Sequence, residues 1–280
     1  MRLDLVLPNQ GDFAAEALRA GPRFESMGWD GLWLTDHVVG AAAYAKHNAH
    51  YGAHWQELIV SMTWLAAQTS RIRIGAGILV VPYRDPVLTA KMVATLDQLS
   101  GGRIDLGVGT GWARREFIAL GKGDIFEQRG AYTDEALDVM LTCWKGGEIA
   151  HHGRWFDFEK VSFAPTPVQG DRVPIWVGGF ELAPAPLRRT ARYADYWHPT
   201  GITPEQVREG GDRIDDMAGR PVKRSVRIRC DGDPAEAAAM LHQFQEAGCV
   251  QAACAFDDPS SFAEFERATN ALFDAARSLR

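Results

Sequence analysis

Two ionisable side chains follow directly after an apolar run near the N-terminus. The run LWLT at residues 32–35 is typical of a buried strand, and Asp36 and His37 come next in the chain. An imidazole titrates near neutral pH and can move a proton, and a neighbouring carboxylate can set its tautomer. Two interpretations stay open: a proton-transfer pair at a strand end, or an aspartate that caps a loop beside a histidine bound to backbone.

Glycines mark the ends of three further apolar runs. Gly77 interrupts IRIGAGILV, Thr110 and Gly111 follow RIDLGVG, and Gly178 and Gly179 end PIWVGG. Glycine inside a strand permits a bulge or the close approach of a ligand. The last two glycines precede a predicted helix and could hold a phosphate at its N-terminus, although two prolines push the start of that helix later. GVGTGW lacks the third glycine of a dinucleotide-binding fingerprint, so we reject that interpretation.

Three histidines, His47, His50 and His54, lie close together in AKHNAHYGAHW. Their spacing would place them on one face of a helix, where they could bind zinc. The segment is rich in alanine and glycine, and the first strand lacks the paired histidines with which metal-dependent barrel hydrolases usually begin. We therefore predict a mobile loop on the substrate side and no metal site.

The elements that would position these residues alternate along the chain. About eight short apolar runs, among them LDLVLP, GLWLTD and SVRIRC, are separated by segments of helical periodicity. Continuous apolar runs indicate strands covered on both faces, as in a parallel sheet. Eight strand-helix units close a barrel, and such barrels carry their chemistry at the carboxyl ends of the strands.

We therefore predict an α/β fold, a single (β/α)8 TIM-barrel domain over residues 1–280. The sequence has no linker that would divide it. Asp85-Pro86 and Asp233-Pro234 supply helix N-caps with a first-turn proline. A loop insertion with a short hairpin is expected between strands 4 and 5.

Composition restricts the partners. Hydrophobic residues make up 46% of the 280 residues and charged residues 24%, close to the average for soluble globular proteins. A net charge of −6 without any Lys/Arg-rich run argues against nucleic acid or anionic lipid and favours a small-molecule partner. No apolar stretch reaches the length of a membrane span or signal peptide, and the four cysteines show no metal or redox spacing. We expect a cytoplasmic protein with free, buried thiols.

Several segments resemble the luciferase-like superfamily of flavin-dependent oxidoreductases. They lie within residues 1 to about 200: GLWLTDHVV, RIRIGAGILVVPYRDPVLTAKMVATLDQLSGGRIDLGVGTGWARREFIALG, RGAYTDEALDVMLTCW and PTPVQGDRVPIWVGG. The chain looks most like the actinobacterial branch associated with the deazaflavin coenzyme F420. Bacterial luciferase and alkanesulfonate monooxygenase, which use FMN, share the fold. The resemblance implies a luciferase-like TIM barrel with F420, or alternatively FMN, as its cofactor.

The resemblance also implies roles for individual residues. A histidine at the end of the second strand stands beside the reactive face of the cofactor ring in the deazaflavin members, and His37 with Asp36 matches it. A non-proline cis peptide in a bulge of the third strand backs the ring, and the bond between Gly77 and Ile78 matches it.

Four further positions match the parts of the family that hold the cofactor. Thr110 and Gly111 match the turn that lines the ring and its ribityl chain, and Gly178 and Gly179 match the phosphate loop. Substrate-side residues cannot be carried over, because the chain after about residue 200 resembles the family less. Four tryptophans near strand ends are candidates for the pocket or for core packing: Trp33, Trp55, Trp112 and Trp197.

The activity implied is hydride transfer to or from a small organic substrate, either alcohol and carbonyl or an activated double bond. His37 would move the accompanying proton. The alternatives are an FMNH2-dependent monooxygenase supplied by a separate reductase, a metal-dependent barrel hydrolase, and a catalytically idle binding relative. Family members pair through helices beside the second and third strands, so a homodimer is expected.

Overall fold

A computed structural model describes residues 1–40, 54–180, 182–257 and 259–279. Eight parallel strands form the barrel: β1 (Arg2–Val6), β2 (Gly31–Leu34), β3 (Arg73–Val80), β4 (Ile104–Gly109), β7 (Ile175–Phe180), β8 (Tyr196–Thr200), β9 (Lys223–Arg229) and β10 (Cys249–Ala255). They close with the neighbour order β1-β10-β9-β8-β7-β4-β3-β2, which confirms the predicted fold.

Helices alternate with these strands and cover the outside of the barrel. The predicted caps are confirmed, since the carboxylates of Asp85 and Asp233 accept hydrogen bonds from the amides of Leu88 and Ala235. None of the described helices combines the length and apolar character needed to cross a membrane. The α-helices are Ala14–Arg19, Gly21–Met27, Leu58–Gln68, Pro86–Ser100, Arg114–Ala119, Arg129–Trp144, Pro184–Tyr193, Pro204–Ala218, Pro234–Glu246 and Phe262–Ala275, with short 3-10 helices at Val81–Tyr83, Gly123–Gln128 and Arg277–Leu279.

The insertion between the fourth and fifth barrel strands is an antiparallel hairpin of β5 (Gly147–His152) and β6 (Asp157–Phe163). Its tip lies against the side of helix Arg129–Trp144, where Glu135 accepts hydrogen bonds from the amides of Trp155 and Phe156 at 2.9 Å each. The hairpin is confirmed, and its tip packs along this helix.

All four cysteines are free and buried, as expected: Cys143, Cys230, Cys249 and Cys254.

The middle of the barrel is filled by a layer that we call the floor, made of Trp33, Trp176 and His198 with Gly75 and Gly107. The Trp33 ring meets Trp176 edge-on at 5.5 Å and stacks on His198 at 4.9 Å. Gly75 leaves the space that the indole occupies, because a Cβ there would lie 2.3 Å from a Trp33 ring atom. A Cβ on Gly107 would lie 2.1 Å from the carbonyl oxygen of Ala76. The glycines on β3 and β4 therefore admit a large aromatic side chain from β2 and let the two strands approach.

Candidate active site

His37, at the carboxyl end of β2, is held by the carboxylate of Glu116. Nδ1 of His37 lies 2.8 Å from Oε2 of Glu116, which also accepts a hydrogen bond from Tyr83 Oη at 2.7 Å. The other oxygen, Oε1, accepts from the amides of Val38 at 2.6 Å and Val39 at 3.2 Å. Glu116 belongs to the short helix after β4, so this contact joins the ends of β2 and β4 at the mouth of the barrel.

The carboxylate of Glu116 is buried yet ionised. Burial opposes its charge, but hydrogen bonds from His37, the Val38 amide and Tyr83 outweigh burial and hold the pKa of Glu116 below its usual value. An ionised carboxylate only accepts hydrogen bonds, so Nδ1 of His37 carries the proton of this contact. Nε2 is the ring nitrogen that does not face Glu116.

The second carboxylate near the end of β2 is that of Asp36, and it binds an arginine. Arg84 Nη1 and Nη2 donate to its two oxygens at 2.6 and 2.9 Å, and the Val80 amide donates at 2.9 Å. Arg84 also contacts Glu57. Burial disfavours the guanidinium charge, but both carboxylates outweigh it and raise the pKa of Arg84. Asp36 therefore contacts Arg84, Glu116 is the carboxylate beside the imidazole, and the role of Asp36 in assisting His37 stays a prediction.

Two tryptophans flank the imidazole of His37. The ring centroid of Trp55 lies 4.4 Å from that of His37, and Trp112 meets it edge-on at 5.9 Å. These two of the four candidate tryptophans therefore lie at the mouth. Trp33 lies in the floor. Trp197, on β8, packs in the main core against the following helix, near Gly210.

The third strand carries the expected bulge. The peptide bond between Gly77 and Ile78 is cis, and the register against β4 shifts between Ala76 and Leu79. The half-buried side chain of Ile78 lies between the ends of β4 and β7. It is close enough that a Cβ added to Gly109 on β4 would lie 2.6 Å from it, and one added to Gly178 on β7 would lie 2.7 Å from it. Ile78 thus presents an apolar surface at the mouth.

The carbonyl oxygen beside that bond has its own partner. Arg227 Nη1 on β9 donates to Gly77 O at 2.8 Å and lies 3.3 Å from Thr35 Oγ1. β9 lies across the barrel from β3 in the strand order, so the far wall also contacts the bulge.

The remaining predicted cofactor residues lie at the ends of β4 and β7. β4 pairs with β7 only along Ile175–Val177, so Gly178 and Gly179 extend beyond that ladder, and Thr110 and Gly111 follow directly after β4. Gly111 has φ +74°, and its carbonyl oxygen accepts from Arg129 Nε at 3.0 Å. Gly178 and Gly179 still belong to the strand, and the next helix starts at Pro184. Their amides are therefore at a strand end, and the expected helix N-terminus lies further along the chain.

His198 in the floor is a second buried histidine with a different environment. Its Nδ1 lies 2.9 Å from Ser225 Oγ, and that hydroxyl donates to Trp197 O at 2.8 Å, so Nδ1 of His198 is the donor. Burial, followed by the nearby charges of Arg227 and Arg2, lowers the pKa of His198 to about 3. His198 is therefore neutral at physiological pH.

The histidine-rich segment lies mostly outside the part of the chain that the structure describes. Among the described residues no group of three or more His, Cys, Asp or Glu side chains is arranged to hold a metal ion. His47 and His50 lie outside the described residues, and His54 is exposed, with Nδ1 3.4 Å from Asp12.

The chain belongs to the luciferase-like monooxygenase family, whose model matches residues 1–278. It is 30% identical over 197 residues to an F420-dependent glucose-6-phosphate dehydrogenase of Microbacterium testaceum, across 69% of this chain and 55% of that protein. It is 29% identical over 191 residues to the FMNH2-dependent dimethylsulfone monooxygenase of Pseudomonas putida, across 68% and 51%. The chain thus spans about half the length of these curated relatives.

Solved structures share the fold over almost the whole chain. An F420-dependent secondary alcohol dehydrogenase in complex with an F420-acetone adduct matches with a TM-score of 0.80 and 18% identity, across 97% of this chain and 98% of that one. Monooxygenase RslO1 from Streptomyces bottropensis matches with a TM-score of 0.79 and 19% identity, across 100% and 98%. The same barrel therefore occurs in F420-dependent and in monooxygenase relatives.

Proposed function

We propose that this chain is an F420-dependent oxidoreductase that transfers a hydride to or from a small organic substrate, with His37 as the proton-transfer residue. The observation that carries the proposal is the pair of His37 and Glu116 at the carboxyl end of β2, because it fixes the imidazole and its tautomer. An imidazole held in a fixed orientation beside a reacting centre is suited to general acid-base chemistry.

One apolar side chain at the mouth could support a flat cofactor ring. Ile78 provides a half-buried apolar surface between the ends of β4 and β7, in the space that Gly109 and Gly178 leave free. In the proposal Ile78 would back the ring, Thr110 and Gly111 would line its ribityl chain, and Gly178 and Gly179 would lie near the phosphate. A bound deazaflavin supplies the hydride chemistry.

The chain itself handles the proton. In the oxidation of an alcohol the substrate O–H proton passes to Nε2 of His37, and in the reverse direction Nε2 returns it to the carbonyl oxygen. Glu116 keeps Nδ1 protonated throughout and stabilises the imidazolium that forms when Nε2 accepts a proton. Asp36 acts at a distance by holding Arg84 and the backbone of Val80.

The first test is a titration of purified protein with F420 and with FMN, each oxidised and reduced, followed by fluorescence quenching. Tight binding of F420 and weak binding of FMN would support the proposal. Preference for reduced FMN would instead indicate a monooxygenase that depends on a separate reductase, the reaction type of the dimethylsulfone relative. Binding of neither would contradict both.

The proton role is tested by His37→Gln. We expect kcat/KM to fall by about 10²- to 10⁴-fold while the Kd for the cofactor stays within about threefold, because the amide keeps the volume but cannot transfer a proton. His242→Gln, on an exposed helix face, is the matched control and should change neither quantity. Unchanged turnover in His37→Gln would contradict the role.

We also propose that two copies pair through the neighbouring helices Leu58–Gln68 and Pro86–Ser100, which follow β2 and β3. Their outer faces expose Val60, Trp64, Leu88 and Leu99. Exposed apolar patches of this kind mark protein contacts. Light scattering should report a dimer that Trp64→Glu converts to a monomer, whereas Met240→Glu on another helix leaves it paired. A monomeric wild type would contradict the proposal.

The thiols support a reducing compartment, which we propose to be the cytoplasm. All four are free and buried. Fractionation of cells that express a tagged chain tests this proposal, and the chain should appear in the cytoplasmic fraction.

A further inference from the structure

The side chains around His37 form an apolar wall that is partly exposed at the barrel mouth. Trp112 is 42% exposed, Val39 40% and Val38 37%, and the rings of Trp55 and Trp112 both contact the imidazole. Exposed apolar surface gains free energy when an apolar ligand removes it from water.

This wall is preformed at Trp55. The segment that carries it is bound to the end of β1 by the Gln10–Trp55 bridge and by the Gln56 amide, which donates to Asn9 O at 2.8 Å. The buried Asn9 side chain donates to the carbonyls of Thr35 and Gln56 at 2.8 and 3.0 Å. A surface held by such contacts costs little to order on binding, so it can select a ligand by shape.

The valine part of the wall is fixed by the same carboxylate that holds His37. Both amides, of Val38 and Val39, donate to Oε1 of Glu116. Because hydrogen bonds keep the pKa of Glu116 below its usual value, this carboxylate is negative at neutral pH. An anionic group placed beside His37 would meet that negative charge in a partly desolvated place, where repulsion is stronger than in water.

We infer that the substrate carries an uncharged apolar ring, aromatic or alicyclic, that binds against Trp112 and Trp55 with its reacting oxygen at His37. The inference rests on the proposed function for the position of the reacting oxygen, and it adds the chemical class of the substrate. It separates this site from one that selects a sugar phosphate, the substrate class in the name of the F420-dependent relative.

The experiment measures the binding of three probes by calorimetry, to protein saturated with its cofactor and to cofactor-free protein. The probes are 2-tetralone, acetone and glucose 6-phosphate, which represent an apolar ring ketone, a ketone without a ring and an anionic sugar. We expect 2-tetralone to bind at least about tenfold tighter than either other probe, because its ring covers the exposed indole.

Variants locate the binding surface. Trp112→Ala should weaken 2-tetralone binding by about tenfold while acetone and cofactor affinities stay within about threefold. Trp112→Phe keeps an aromatic ring and should lose less than about threefold. Met240→Ala is the control, since Met240 is 43% exposed, as Trp112 is 42% exposed, but lies on the outer helix Pro234–Glu246.

The outcomes separate the two proposals. Equal or tighter binding of glucose 6-phosphate, or 2-tetralone binding that Trp112→Ala does not weaken, overturns the substrate inference even when the cofactor binds. Ring-selective binding that depends on Trp112 in a protein that binds neither F420 nor FMN keeps the apolar-ring site and overturns the proposed oxidoreductase.

Discussion

The rim, by which we mean the residues at the mouth of the barrel, and the floor each contain a buried histidine, and the two have different hydrogen-bond partners. His37 at the rim is 8% exposed and contacts the ionised carboxylate of Glu116. His198 in the floor is 3% exposed, stacks on Trp33 and contacts the hydroxyl of Ser225.

The difference comes from burial together with the hydrogen-bond partner. Burial, followed by the charges of Arg227 and Arg2, lowers the pKa of His198 and keeps it neutral beside the Ser225 hydroxyl. At His37 the partner is an ionised carboxylate, which can compensate a positive charge that forms beside it. The proposed proton transfer therefore belongs to the rim, whereas His198 packs in the floor.

The largest expected effect concerns the floor. Gly107→Ala would place a methyl group 2.1 Å from Ala76 O, so β3 and β4 would have to separate. We expect the free energy of unfolding in urea to fall by about 4 kcal/mol or more, with low soluble yield. In the control Gly130→Ala the methyl group meets only the end of the Arg189 side chain at 3.3 Å, so stability should change by less than about 1 kcal/mol. A fully stable Gly107→Ala would refute the tight contact.

The next effect tests the stabilising part of the rim. Arg84→Met leaves the carboxylate of Asp36 buried without its cation, and we expect a loss of about 3 kcal/mol in the free energy of unfolding. Adding Asp36→Asn to the same chain should recover part of that loss, since the uncompensated charge disappears. If the double variant is no more stable than Arg84→Met, Asp36 is not the group that Arg84 compensates.

The third prediction tests the reactive part of the rim. Glu116→Gln retains the shape but removes the charge beside His37, and we expect kcat/KM to fall by about 10- to 100-fold with an altered pH profile. The Kd for the cofactor should not change. Glu135→Gln is the matched control, because Glu135 also accepts hydrogen bonds from backbone amides but faces the hairpin from helix Arg129–Trp144. An unaltered pH profile in Glu116→Gln would contradict the positioning role.

The smallest effect concerns His198 and the dependence of stability on pH. Its pKa is about 3 in the folded chain and about 6.5 in an unfolded one, so between these values only the unfolded state binds the proton. Stability is therefore lost as the pH falls below about 6.5, by about 2 kcal/mol at pH 5. His198→Asn should remove this part of the acid sensitivity, measured by urea denaturation at pH 7 and pH 5. His242→Asn, which changes an exposed histidine, should retain it.

Much of the fold could be predicted because its information is local. Continuous apolar runs between helical segments identify parallel strands, and the Asp-Pro pairs identify where two helices begin. The same runs place His37 at the end of a strand. Gly77 and Ile78 were placed by resemblance to the family, and the bond between them is cis.

The partner of His37 was not predictable in the same way. Asp36 is its neighbour in the sequence, but side chains of consecutive residues in an extended segment point to opposite sides. Glu116 lies 79 positions away in a helix that also contains two arginines, so no local pattern separates it from a surface carboxylate.

The sequence by itself determined the barrel, the family and the histidine at the strand end, since periodicity, caps and motifs are properties of short segments. Only the tertiary structure decided which carboxylate meets the imidazole and why the second buried histidine is neutral. The physical reason is that hydrogen-bond partners and burial arise from residues brought together by closure of the barrel, and these set the protonation of each group.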